Sequence, residues 1–253
     1  MPDLTLYELK KAVLTPRTAY RRRQERGMEE AAQRMFELSY YNTPTYDFLK
    51  ATMENPDILV DVDIGPHSIV VDVGAYVGQW SKKIADRYGS TVYAFEPMDA
   101  GLKKMRQDLA GHPTVHICGY GLSNGDHTAT LALAGPGSSI YSETSRVGFA
   151  DIQLRDVVDV LDELGLTRID LLKVNIEGGE YDLFDRLIEA GWLRRIDQIL
   201  IQFHEWHPKA YLRRWRIRRA LRVGHEEVWC FPWVWEYWRQ PGPPLVEPPE
   251  ASD

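Results

Sequence analysis

The stretch VVDVGAYVG, residues 70–78, limits the fold more than any other part of this chain. β-Branched residues run into Asp72, and the chain then crosses Gly74 and Gly78 with Tyr76 between them. Such residues favour strands, and glycines allow a tight turn with close approach of backbone to a ligand. A buried strand ending in a ligand loop is predicted. The rhythm then repeats: GQWSKKIADRYG, TVYAFEP, MDAGLKKMRQDLAG and TVHICGYGL read as helix, strand, helix, strand. That alternation marks parallel strands joined by crossover helices. HTATLALAGPGSSIY alternates and is glycine-rich, so an antiparallel excursion is expected there. IQLRDVVDVLDELGL reads as a helix, IDLLKVNIEG as a strand, GEYDLFDRLIEAGWL as a helix and IDQILIQFHEW as a strand. PKAYLRRWRIRRALRVG is a basic helix, and EEVWCFPWVWEYW two strands around Pro232. The expected fold class is α/β, a doubly wound, mostly parallel sheet of about seven strands with ligands at its carboxyl edge.

Residues 3–40 read as helices broken at Pro16, and 41–47 as a loop. The expected organisation is an N-terminal helical extension over 1–60, the α/β domain over 61–240, and a disordered tail over 241–253. The opening MPDLTLYELKK carries acids and no apolar core segment, so no secretory signal is expected. No apolar run is long enough to span a bilayer. The only cysteines, Cys118 and Cys230, have no CxxC or zinc spacing, which fits a reduced, cytoplasmic protein. The net charge of −7 argues against nucleic acid as a partner.

A dinucleotide loop needs glycine where the pyrophosphate touches the backbone. Here the spacing is GxxxG, with the bulky Tyr76 inside it. A ligand without a pyrophosphate is expected, which counts against a nicotinamide-dependent oxidoreductase. Glu96 ends the next strand, where an acid holds a ribose diol. Glycine loop, ribose acid and no phosphate together point to S-adenosylmethionine, with Asp72 expected to face its amino group. Further on, Lys173, Asn175 and Glu177 alternate with Leu172, Val174 and Ile176, which puts three polar groups on one face of a strand that should be apolar. Either Lys173 and Glu177 neutralise each other, or Asn175 and Glu177 line the place where a methyl acceptor meets the cofactor. His204, near the end of the following strand, is the expected general base. His204, Glu177 and Asn175 do not form a recognised metal spacing, so a divalent metal is not expected.

Taken together, VVDVGAYVG, AFEP, the GLSNGD at 121–126, LLKVNIEGGEYDLF and QILIQFHE resemble the FkbM family of S-adenosylmethionine-dependent methyltransferases over roughly residues 68–206. The resemblance implies a Rossmann-like class I methyltransferase fold and methyl transfer to a hydroxyl oxygen, with acceptors that include macrocycles and sugars. It implies that Asp72, Gly74, Ala75, Tyr76 and Gly78 form the methionine-side loop. Glu96, followed by Pro97, would hold the ribose, and Leu122 and Ser123 would sit near the adenine. Glu177 matches the glutamate of the family's K-x-D-x-E-G motif. Asn175 departs from it, standing where aspartate is common, and asparagine cannot take a proton. The base is therefore expected at His204, with Glu177 and Asn175 orienting.

Six of the eight tryptophans lie between Trp206 and Trp238. Half of the rings in 229–238 are expected in the core and half on a platform that stacks on sugar. The expected acceptor is accordingly a hydroxyl of a sugar, oligosaccharide or polysaccharide precursor. A polyketide or other natural product is the near alternative, and a non-catalytic binding module the distant one. The basic segment 209–222 reads as a solvated face, or as a landing site for an anionic or lipid-linked acceptor or a membrane surface. The glycine- and serine-rich 135–148 reads as a lid. The oligomeric state has no signature in the sequence.

Overall fold

The structure, a computed structural model, describes residues 43–132, 148–205, 207 and 209–242. The expected helices before residue 43, most of the lid segment and the tail beyond 242 lie outside the described residues. The chain divides into two units, 1–50 and 51–253. Helix α1 (Pro44–Glu54) starts inside the expected 41–47 loop. Thr43 accepts from the Tyr46 backbone N–H at 3.2 Å, and proline follows at the first helical position, where its missing N–H costs nothing. The Thr-Pro pair is a helix start rather than a loop.

The second unit is built on a seven-stranded sheet. In chain order its strands are β1 (Ile69–Val73), β2 (Thr91–Phe95), β3 (Val115–Cys118), β7 (Ile169–Val174), β8 (Ile196–Ile201), β9 (Glu226–Phe231) and β10 (Trp235–Arg239). They lie in the order β3-β2-β1-β7-β8-β10-β9. Neighbours from β3 through β8 pair parallel, while β10 runs antiparallel to both β8 and β9. The expected doubly wound, mostly parallel seven-stranded sheet is what the chain forms. Strand order reverses between β1 and β7, which opens a crevice at their carboxyl ends.

Alternation along the strands separates two cores. Val71, Val73, Phe95, Leu172 and Val174 pack on one face with α4 (Val157–Glu163), α5 (Glu180–Glu189) and α6 (Ala210–Leu221). Val70, Val92, Leu171 and Leu200 pack on the other with α2 (Gln79–Tyr88), and Ala94 with α3 (Asp99–Asp108). Burial on both faces explains why these strands read as continuous apolar runs.

The expected antiparallel excursion belongs to a second sheet. Strands β4 (Gly121–Ser123), β5 (His127–Ala132) and β6 (Phe149–Asp156) form it in the order β4-β6-β5, with β5 and β6 antiparallel. Residues 152–156, expected as the start of a helix, are strand. The helix begins only after Asp156, whose side chain accepts from the N–H groups of Val158 and Asp159. Asp156 is thus an N-cap. Ile152 and Leu154, spaced two apart, are buried on one face of this strand.

Candidate active site

A cavity of about 400 Å³ lies at the crevice, within the size range of small-molecule sites. Gly74, Tyr76, Glu96, Pro97, Leu122, Ser123, Asn175 and Glu177, all expected at the site, line it. Asp72, Ala75, Gly78 and His204 do not.

The glycine loop explains why its residues are what they are. Gly74 has φ 83°, and a β-carbon there would sit 2.0 Å from the carbonyl oxygen of Asn175. Only glycine lets the ends of β1 and β7 close on each other. Gly78 has φ 77°, and its β-carbon would meet Met105 at 2.6 Å. It is needed for packing on α3, not for touching a ligand. Tyr76 stands between them with φ 53°, the left-handed conformation a glycine would adopt freely. Holding it there costs about 1–2 kcal/mol, and the side chain then reaches the cavity, 47% exposed. Glu177, also on the cavity wall, has φ 53° as well. Strain of this kind gathers where a ligand is held.

Asp72 has a structural role in place of the expected ligand contact. It is wholly buried, pairs with Lys173 Nζ at 2.8 Å and accepts from Ser81 Oγ at 2.6 Å. The two residues of the pair are opposite one another in the β1–β7 register. Lys173 Nζ also donates to the Gly74 carbonyl at 2.9 Å, so the ion pair pins the loop from inside the sheet. Lys173 therefore does not neutralise Glu177. Strand β7 also ends at Val174, so Asn175 and Glu177 lie in the loop beyond it and the alternation expected across 173–177 stops short.

Glu96 ends β2. Its two oxygens accept the backbone N–H groups of Tyr76 and Met98, each at 2.8 Å. Burial pushes its pKa up, held back in part by those two bonds. Each oxygen keeps a lone pair for a ligand hydroxyl.

His204 is buried and clamped. Its Nδ1 lies 3.1 Å from Glu180 Oε1, and its Nε2 lies 3.4 Å from Glu177 Oε1. Glu180 is fully buried and also accepts from the backbone N–H groups of His204 and Gly178, both at 2.8 Å. It opens α5, where the helix dipole favours a negative charge. Burial lowers the His204 pKa, but the bonds and charges of Glu177 and Glu180 outweigh it and raise the value to about 9. A carboxylate at each ring nitrogen favours the imidazolium form of His204. Both nitrogens face these carboxylates and His204 does not line the cavity, an arrangement that does not favour the base role expected of it. Besides Glu96, the carboxylate on the cavity wall is Glu177.

Asn175 Oδ1 is buried with no hydrogen-bond partner. Such an atom costs about 1–3 kcal/mol unless a ligand satisfies it. Among the described residues, no group of three or more His, Cys, Asp or Glu is placed to hold a metal ion.

Sequence reasoning missed Met98 and Ala100 at the start of α3, and Leu131, Ile152 and Leu154 from the second sheet. The period of two in DIQLRD would have exposed β6. Nothing local marked Glu180 as the partner of His204, which lies 24 residues away.

A family model described as "Methyltransferase FkbM domain" matches residues 72–228. The chain is 26% identical over 206 residues to "Methyltransferase 1" of Beauveria bassiana, covering 70% of this chain and 82% of that protein. It is 28% identical over 182 residues to "AMB antimetabolite synthetase AmbE" of Pseudomonas aeruginosa, covering 55% of this chain. That match spans only 8% of the synthetase's length. Among solved structures, an rRNA methylase from Streptococcus thermophilus aligns with 18% identity and a TM-score of 0.46, over 73% of this chain and 92% of that one.

Proposed function

The chain belongs to the FkbM methyltransferase family, and from that premise we propose that it moves the methyl group of S-adenosylmethionine to a hydroxyl oxygen of a small natural-product acceptor. The observation that carries this reading is Glu177, a carboxylate on the cavity wall held by His204 and two residues from Asn175 in the loop after β7.

The residues present fit the cofactor. Glu96 offers two acceptor oxygens suited to a ribose diol. Pro97, Met98, Leu122 and Leu154 supply apolar walls for an adenine ring, and Ser123 a polar edge. The Gly74 loop leaves room for the methionine part, and Asn175 Oδ1 awaits a donor. When bound, S-adenosylmethionine supplies an electrophilic methyl carbon on a sulfonium. Glu177 accepts the proton of the acceptor hydroxyl. His204 keeps Glu177 aimed at the cavity, and Glu180 keeps His204 charged and in place. The Lys173–Asp72 pair fixes the loop, so that acceptor and cofactor meet in one alignment.

The tryptophans no longer favour a sugar acceptor. Trp238 is fully buried, and Trp229, Trp233 and Trp235 pack as partly buried side chains against the two cores. None of the four forms an exposed stacking platform. That leaves the natural-product alternative, which agrees with a relative that is by name an antimetabolite synthetase.

The test is methyl transfer from isotope-labelled S-adenosylmethionine to macrocyclic alcohols, hydroxylated peptides and short oligosaccharides. Label should enter an oxygen of a non-sugar acceptor. Glu177→Gln should lower kcat about 10²–10⁴-fold, as loss of a positioned base does, with S-adenosylhomocysteine affinity retained. Label in carbon or nitrogen, label confined to sugars, or full activity in Glu177→Gln would overturn the reading.

A further inference from the structure

Helix α6 carries five arginines and no acid in the run AYLRRWRIRRAL, with Arg222 following at its end, within a chain of net charge −7. Its arginines fall into two sets. Arg213 reaches Asp182 and Asp185 on α5. Arg214 and Arg218 converge on the buried Glu236 of β10, and Arg218 also pairs with Glu227 of β9. This inward set is neutralised by the fold.

The outward set is not. Arg216 and Arg219 are exposed, and no acid of the described residues stands within ion-pair distance of either. Arg222, at the helix end, is 58% exposed and reaches Glu227 only at 3.9 Å. Interleaved with them are Tyr211, Leu212 and Trp215, exposed to 67%, 45% and 54%, and Val223 at 80%. At 3.6 residues per turn, Tyr211, Leu212, Trp215, Arg216, Arg219 and Arg222 fall within an arc of about 140°. The buried Ala210, Ile217 and Leu221 lie on the opposite side. Arg219 lies 5.6 Å from the Trp215 ring centre, a geometry that lets cation and ring share one interface.

We propose that this face of α6 docks on an anionic lipid bilayer. The charge is complementary: the outward cations match acidic headgroups, while the rest of the chain is acidic. The chemistry is also that of an interfacial helix, with a tryptophan and aliphatic side chains beside arginines whose stems can lie along the acyl boundary. A nucleic acid would use the arginines but leave Leu212 and Val223 in water. A second copy of so acidic a chain would use the apolar groups against a repulsive net charge. No helix among the described residues is long and apolar enough to cross a membrane, so the contact is peripheral. This inference does not depend on which hydroxyl the enzyme methylates.

The test is flotation of the full chain with vesicles of phosphatidylcholine alone and of a phosphatidylcholine–phosphatidylglycerol mixture, at low and physiological salt. The chain should float with the mixed vesicles and not with phosphatidylcholine. Each cation near the surface contributes roughly a factor of five, so R216E/R219E should lower binding at least about 25-fold. L212S/W215S should lower it with little change in salt dependence. The control K83E/K103E makes the same change in net charge at two exposed lysines elsewhere and should keep binding. All variants should keep their melting temperature and methyl transfer to a soluble acceptor. Failure to float with mixed vesicles would overturn the proposal, as would equal loss in the control. Tighter binding of single-stranded RNA to the same face, or a dimer abolished by the same substitutions, would also overturn it.

Discussion

The backbone carbonyl of Asn175 occupies the place where a β-carbon on Gly74 would be, 2.0 Å from that position. The two residues directly follow β1 and β7, the strands between which the sheet changes direction. Their contact sets the width of the crevice that holds the cavity.

Gly74→Ala should therefore act on both fold and site. The left-handed backbone at φ 83° disfavours any β-carbon by about 1–2 kcal/mol, and the clash with Asn175 adds to it. A loss of more than about 2 kcal/mol is expected in denaturant unfolding, together with loss of S-adenosylhomocysteine binding in calorimetry. Unchanged affinity would mean that the crevice width is not what admits the ligand.

Asn175→Leu should separate stability from binding. The substitution removes a buried acceptor that has no partner in the free protein. Thermal stability should hold or rise, while affinity for S-adenosylhomocysteine or acceptor falls about 5–100-fold, the worth of one buried hydrogen bond. A destabilised variant with intact binding of both ligands would show that Oδ1 serves the fold.

The Lys173–Asp72 pair gives a third expectation. Lys173→Met leaves a carboxylate buried without its cation and should cost about 3–5 kcal/mol. The double variant Asp72→Asn/Lys173→Met removes both charges and should recover most of that loss. Cofactor affinity should recover less, because the Gly74 carbonyl still lacks the Lys173 donor. Chemical denaturation of these two variants, of Asp72→Asn alone and of the natural protein completes the cycle, and additive losses would argue against the coupling.

His204 sets the pH dependence. Its pKa is about 9 in the folded chain against 6.5 for an ordinary imidazole. A raised value stabilises the folded state fully below about pH 6.5, and that stabilisation is lost as the pH rises through about 9. The stability gap between the natural protein and His204→Gln should be flat in mild acid, close progressively above pH 6.5, and amount to on the order of 3 kcal/mol in total. The kcat profile should show no acid limb near pH 6.5 attributable to His204, as a general base of ordinary pKa would give. Such a limb, absent in His204→Gln, would restore the histidine as base.

The sequence by itself determined the frame. Continuous apolar strands alternating with helices permit little but a parallel sheet covered on both faces, and VVDVGAYVG and AFEP marked the carboxyl edge where Gly74, Tyr76 and Glu96 meet. Thr43-Pro44 and DIQLRD carry legible signals too, a helix start and a period of two, although the first lies in the expected 41–47 loop and residues 152–156 in an expected helix. What only the tertiary structure decided is how charges are shared. Lys173 is two residues from Asn175 and four from Glu177, yet its partner is Asp72 on the neighbouring strand, 101 residues away. His204 has the residue type of a base, but two carboxylates brought to its nitrogens by a helix start and a strained loop make it a fixed cation. Tryptophans that could have formed a platform were taken up in the core, and the arginines of α6 were divided into paired and unpaired sets by which way the helix faces. Local pattern fixes which elements form, because periodicity and turn chemistry act within a few residues. The pairing of buried charges depends on register and packing, and those are set between segments far apart in the chain.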